Sequence, residues 1–179
     1  MKKTIIVAAI MTAVAASAFT FATIWKADEK TSTVNWELEN GSKKGTFTNL
    51  SATINFDKAK LADSKISASI DVKTLKAGNE KLEAHLLTAD FFDAEKFPKI
   101  VFTSTEIKAE GIGYIAKGTL NIKDSTKVIN LPFTFTETDK TKGVFSGTMT
   151  IGAIDYGIMK AKDAGKDKVL IYLTVPVTK

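Results

Sequence analysis

The chain has 179 residues, 44% of them hydrophobic, with 25 basic residues against 20 acidic, a single histidine and no cysteine. That is enough apolar material for one domain with its own core, and it excludes disulfides and thiolate metal sites as sources of stability. Every basic residue is a lysine, scattered rather than blocked, which argues against a nucleic-acid partner and leaves no guanidinium to grip a phosphate or carboxylate with two parallel hydrogen bonds.

At the start of the chain, Lys2-Lys3, the uncharged run Thr4 to Val14 and the small residues Ala16-Ser17-Ala18 form the three regions of a signal peptide. Residues 1–18 are therefore expected to be removed on export, and residues 19–179 to form one domain beginning at Phe19. No charge occurs between Lys3 and Lys26, so Thr4 to Trp25 is also about long enough for an uncleaved membrane anchor.

Strand periodicity then dominates. Val34, Trp36 and Leu38 alternate with polar residues, Asn40-Gly41 marks a turn, and Ala52, Ile54 and Phe56 resume the alternation. A short connection from Asp57 to Ser64, with one helical turn, leads to Ile66, Ala68, Ile70 and Val72. The period changes after Gly78-Asn79: Leu82, His85, Leu86 and Ala89 fall on one face of a short helix, with Asn79 as its N-cap. Phe91-Phe92 and Phe97-Pro98 bracket a charged turn that leads back into extended chain. Ile100 to Ile107 and Tyr114 to Ile122 make a hairpin around Glu110–Gly113. Ile129, Leu131, Phe133 and Phe135 line the next strand, where Pro132 on the outward side implies an edge or a bulge. Phe145, Gly147, Met149, Ile151 and Ala153 follow. A looser stretch, Asp155 to Lys166, precedes the last strand, Val169 to Val177.

Long strands with one apolar face, joined by short turns, predict an all-β fold: an eight-stranded antiparallel barrel with one short helix and a flanking loop. A barrel of this size either fills its interior or holds one ligand. The recurrence of Ala52, Ala68, Ala116, Gly118, Gly147 and Ala153 on the dry faces fits an elongated apolar cavity, and it equally fits large residues packed opposite small ones. If the lumen is hollow, its candidate lining residues are Trp36, Ala68, Ile70, His85, Phe91, Phe92, Ala116, Gly118, Leu120, Phe133, Phe135, Phe145 and Met149. His85 has three readings: a structural group bonded to a carboxylate or carbonyl, a contact to a ligand head group, or a titrating switch.

Signals for catalysis are weak. One histidine cannot build a multi-histidine metal shell, no Gly-x-Ser-x-Gly elbow occurs, and Gly111-Ile112-Gly113 lacks a third glycine at nucleotide-binding spacing. The expectation is a protein without enzymatic activity, metal or cofactor.

The segment Asn79 to Ser104, with His85-Leu86, Asp90-Phe91-Phe92-Asp93, Lys96-Phe97-Pro98 and Phe102-Thr103-Ser104, resembles the YceI-like family. So do Phe56-Asp57 with Ser64 to Leu75, and Gly118 to Lys123 with Thr126-Lys127. The resemblance implies an extended lipocalin-like barrel in the periplasm that binds a polyisoprenoid or similar lipid without catalysis, and it admits transient membrane contact. The chain departs from the family where Leu82 and Ala153 stand at positions often basic, and where Thr31 replaces a frequent histidine. An isoprenoid quinone, a free isoprenoid alcohol or a fatty acid then fits as well as a pyrophosphate. The alternative of a different class is a stress-related periplasmic barrel that works through a protein partner and needs no lipid.

Overall fold

The computed structural model of the protein describes residues 23–179; the expected leader and the Phe19 start lie outside them. Among the described residues, one antiparallel sheet contains β1 (Ile24–Ala27), β2 (Thr33–Leu38), β3 (Lys44–Phe47), β4 (Ser51–Asn55), β5 (Lys65–Asp71), β6 (Lys99–Glu110), β7 (Gly113–Ile122), β8 (Ser125–Glu137), β9 (Lys142–Gly152) and β10 (Lys168–Thr178). Its order is β1-β4-β5-β6-β7-β8-β9-β10-β2-β3, and β1 also pairs with β10, which closes the ring.

Ten segments make eight barrel staves. Both β1 and β2 lie along β10, with Ala27 opposite Val177 and Thr33 opposite Thr174, so they are two parts of one interrupted strand. Likewise β3 lies beside β2 and β4 beside β1. The first interruption is a turn in which the Ser32 N–H and hydroxyl both donate to the Asp28 carbonyl, at 2.9 and 2.7 Å. At the second, Asn49 adopts a left-handed φ of 57°, a conformation asparagine tolerates better than most residues. The expected eight-stranded barrel is therefore present. The short β1 and β3 escaped the sequence reading because four residues carry too few alternations to register as a period.

The helix α1 (Glu80–Leu86) starts as expected, with the Asn79 side chain accepting from the Leu82 N–H at 3.1 Å. It ends a turn earlier than the apolar stripe suggests. The returning loop supplies Phe92 N–H to the Leu86 carbonyl and Ala94 N–H to the Leu87 carbonyl, both at 3.0 Å, so these carbonyls are satisfied without further helix. Ala89 lies exposed in that loop instead of on a buried helix face.

Two irregularities shape the wall. A bulge in β6 falls between Ser104 and Glu106, opposite β7. The ladder between β8 and β9 runs only from Phe133↔Gly147 to Glu137↔Gly143. It begins immediately after Pro132, which has no N–H to donate, so β8 is an edge on that side, one of the two outcomes its sequence allows. Where the two strands part, residues 153–167 fold in, burying Ala153, Tyr156 and Ile158. This segment carries single 3-10 turns at Ile154–Tyr156 and Ala161–Asp163.

Candidate functional site

The interior has a filled end and a hollow end. At the filled end the Phe56 ring sits at the centre of an aromatic cluster. It contacts Tyr114, Phe133, Phe135 and Phe145 edge-on, with centroids 5.0, 5.7, 5.3 and 5.3 Å away. Trp25 packs against Phe135 at 4.9 Å, and its indole N–H donates to the Phe56 carbonyl at 3.1 Å. Edge-to-face contacts of this kind add specific orientation to ordinary apolar burial. Trp25 and Phe56 are each 1% exposed.

Beyond Phe133 and Phe145 the packing stops and a cavity of about 400 Å³ opens toward the end that carries α1. Its wall is apolar almost throughout, built from inward positions of β2 to β10. Leu82 and Leu86 of α1, Phe91 and Phe92 of the following loop, and Ile158 and Met159 of the 153–167 segment complete it. The alternation of each strand supplies these residues, and the small side chains of Ala52 and Ala68, directly paired across β4 and β5, keep the wall thin. Three polar side chains, Lys43, His85 and Ser146, and the indole of Trp36 are the exceptions among the lining residues. The Trp36 Nε1 is buried without a hydrogen-bond partner among the described residues.

Trp36, Ala68, Ile70, His85, Phe91, Phe92, Leu120, Phe133, Phe145 and Met149 come together around this one cavity. Three other candidates do not. Ala116 is fully buried outside the cavity, paired with Ile107 and Leu131. Gly118 is small for a different reason from the one its sequence position implies: a Cβ there would press on the Thr103 carbonyl and come within 2.7 Å of the Ser104 Cα, where the β6 bulge brings the backbone close. Phe135 belongs to the filled end, stacked on Phe145 at 4.3 Å. Periodicity identifies the inward face correctly at all three positions, but it carries no information about height along the barrel axis.

Lys43, Ile158 and Met159 are lining residues that the sequence reading missed. Lys43 lies in the turn between β2 and β3, where no period operates. The apolar pair Ile158-Met159, isolated in a polar stretch, was the available signal for the folded-in segment.

At the mouth, His85 is exposed and rests its ring edge on Phe91, 4.7 Å between centroids. Its imidazole makes no side-chain hydrogen bond among the described residues, so the carboxylate or carbonyl partner of the structural reading is not present there. Neighbouring Asp90 pairs with Lys160 at 3.0 Å, tying the loop after α1 to the 153–167 segment. The Lys160 ammonium, with lesser help from His85 and Lys123, holds the Asp90 carboxyl below its ordinary range. Lys123 also donates to the Gly157 carbonyl at 3.0 Å. The Lys43 ammonium forms no ion pair among the described residues, which leaves one unbalanced cation on the cavity rim. Among those residues, no three or more histidine or carboxylate side chains converge on a point that could hold a metal ion.

Comparison with known proteins follows the same architecture. A model of the YceI-like domain matches residues 25–178. A UPF0312 protein of Photorhabdus laumondii is 34% identical over 87 residues, covering 49% of this chain and 45% of the relative, so the match spans about half the length of that curated relative. Among solved structures, BcnA of Burkholderia cenocepacia superposes with a TM-score of 0.79 at 26% identity, over 85% of this chain and 99% of that one. A polyisoprenoid-binding domain from Saccharophagus degradans superposes with a TM-score of 0.65 over 86% of this chain and 97% of that one, at 14% identity, a likeness of fold alone.

Proposed function

The chain belongs to the YceI-like family, and from that premise we propose that it is a non-catalytic periplasmic binding protein that encloses one long-chain lipid in its barrel. The observation that carries this reading is the one-ended cavity: an apolar space of about 400 Å³, floored by aromatic rings, with its charged group and its histidine at the rim. Water in such a space would find almost no partners, and an apolar cavity of this kind favours an apolar occupant. Each methylene withdrawn from water contributes about 0.8 kcal/mol before the cost of ordering the chain. The polyisoprenoid-binding domain of similar fold supports a lipid of the isoprenoid type, whether a polyisoprenoid, an isoprenoid quinone or an isoprenoid alcohol. A fatty acid satisfies the same chemistry, and Lys43 suits a carboxylate as a point charge.

Protein purified without detergent from exporting cells should release a lipid on extraction with organic solvent, identified by mass spectrometry. Intact mass on the same preparation should match a chain beginning at Phe19. A lipid-free extract would turn the reading toward a barrel that serves a protein partner, and a mass retaining residues 1–18 would make it a membrane-anchored form.

A further inference from the structure

We propose that Phe133 and Phe145 form a stop that sets how much chain the barrel encloses: on the order of a dozen carbons enter tail-first, and any remainder stays at the mouth with the head group; this rests on the lipid-binding reading above. Both rings line the cavity, and both also belong to the filled end. Phe145 is stacked on Phe135 at 4.3 Å, Phe133 on Tyr114 at 5.3 Å, and Phe56 abuts each of them edge-on. Phe133 and Phe145 are only 6% and 5% exposed. Rings held from behind in this way cannot swing aside without disturbing Phe56 and Trp25, so the floor is fixed rather than adaptable.

The capacity follows from the volume. A methylene needs about as much room as a water molecule, roughly 30 Å³, so about 400 Å³ accommodates on the order of a dozen of them. The mouth lies opposite the floor, where Lys43 and His85 provide the polar surroundings a head group requires. A chain that touches the floor gains nothing from further methylenes, because they remain in water. Affinity should therefore climb about fourfold per carbon and then level off.

The test uses delipidated protein and the saturated fatty acids from octanoate to octadecanoate, with dissociation constants from calorimetry. Wild type should show a break near a dozen carbons. Phe145→Ala removes part of the floor and should move the break outward by about three carbons. Ala68→Leu adds bulk to a wall and, requiring no opening of the aromatic cluster, should move it inward even if Phe145→Ala fails to fold. Affinity that keeps rising through octadecanoate, or a break that stays put in variants that still bind, overturns the stop while leaving lipid binding intact. Failure of every acid to bind, together with a lipid-free native extract, overturns both.

Discussion

Glu83 and His85 lie two positions apart on the same short helix, and only the first is expected to contribute measurably to stability. The Glu83 carboxylate accepts from the Ala77 N–H at 2.9 Å and from Lys76 at 3.2 Å, and its side chain is only 14% exposed. The Ala77 amide, followed by the Lys76 ammonium, holds its carboxyl below the ordinary 4.5. A depressed carboxyl contributes stability above its unfolded value and loses it as pH falls through the folded one. Glu83→Gln should therefore melt below wild type at pH 7, with the gap shrinking as the pH drops below about 4.5. His85, exposed and without a side-chain hydrogen bond, should behave as an ordinary surface position. His85→Gln should leave the melting temperature nearly unchanged, which thermal scans of the two variants across pH will establish.

At the scale of elements, the pairing of β6 with β7 depends on Gly118. The β6 bulge moves the backbone at Thr103 and Ser104 toward β7, and the missing Cβ of Gly118 is what permits that approach. Because the obstacle is backbone, it cannot rotate away. Gly118→Ala should cost about 1 to 3 kcal/mol, read as a lowered urea midpoint with an unchanged slope. The bulge also sets Ser104 to accept the Ile66 N–H through its hydroxyl at 2.8 Å, so the same substitution should loosen β5. Amide exchange at Ile66 will report it.

The molecule as a whole combines a rigid end and an open end in one barrel. The aromatic cluster has continuous packing and closed ladders, whereas the mouth is framed by a loop and a folded-in segment joined through an exposed ion pair, Asp90 with Lys160. Exposed pairs contribute little stability, and regions with few buried contacts open at low free energy. In the delipidated protein, amides of residues 87–97 and 153–167 should exchange much faster than those of β7 to β10 near Phe133 and Phe145. Addition of a bound fatty acid should slow exchange at the mouth and leave the filled end almost unaltered. Uniform protection throughout the chain would contradict this division.

Alternation by itself determined the all-β class, the inward face of each long strand, the helix with its Asn79 cap and the number of barrel staves, because those features depend on neighbours a few residues apart. The same residues also carried the family resemblance. Only the tertiary structure decided whether the lumen is filled or hollow, and the result is one of each along the axis. Phe145 and Met149 share the inward period of β9, yet Phe145 stacks on Phe135 at the floor of the cavity while Met149 lies in its open wall. Height along the axis depends on register around the closed ring, where Phe133 meets Gly147, Gly147 meets Leu173 and Leu173 meets Val34. Those pairings join residues far apart in the chain, so no local pattern encodes the layer in which large side chains meet large ones and the layer in which they leave a void.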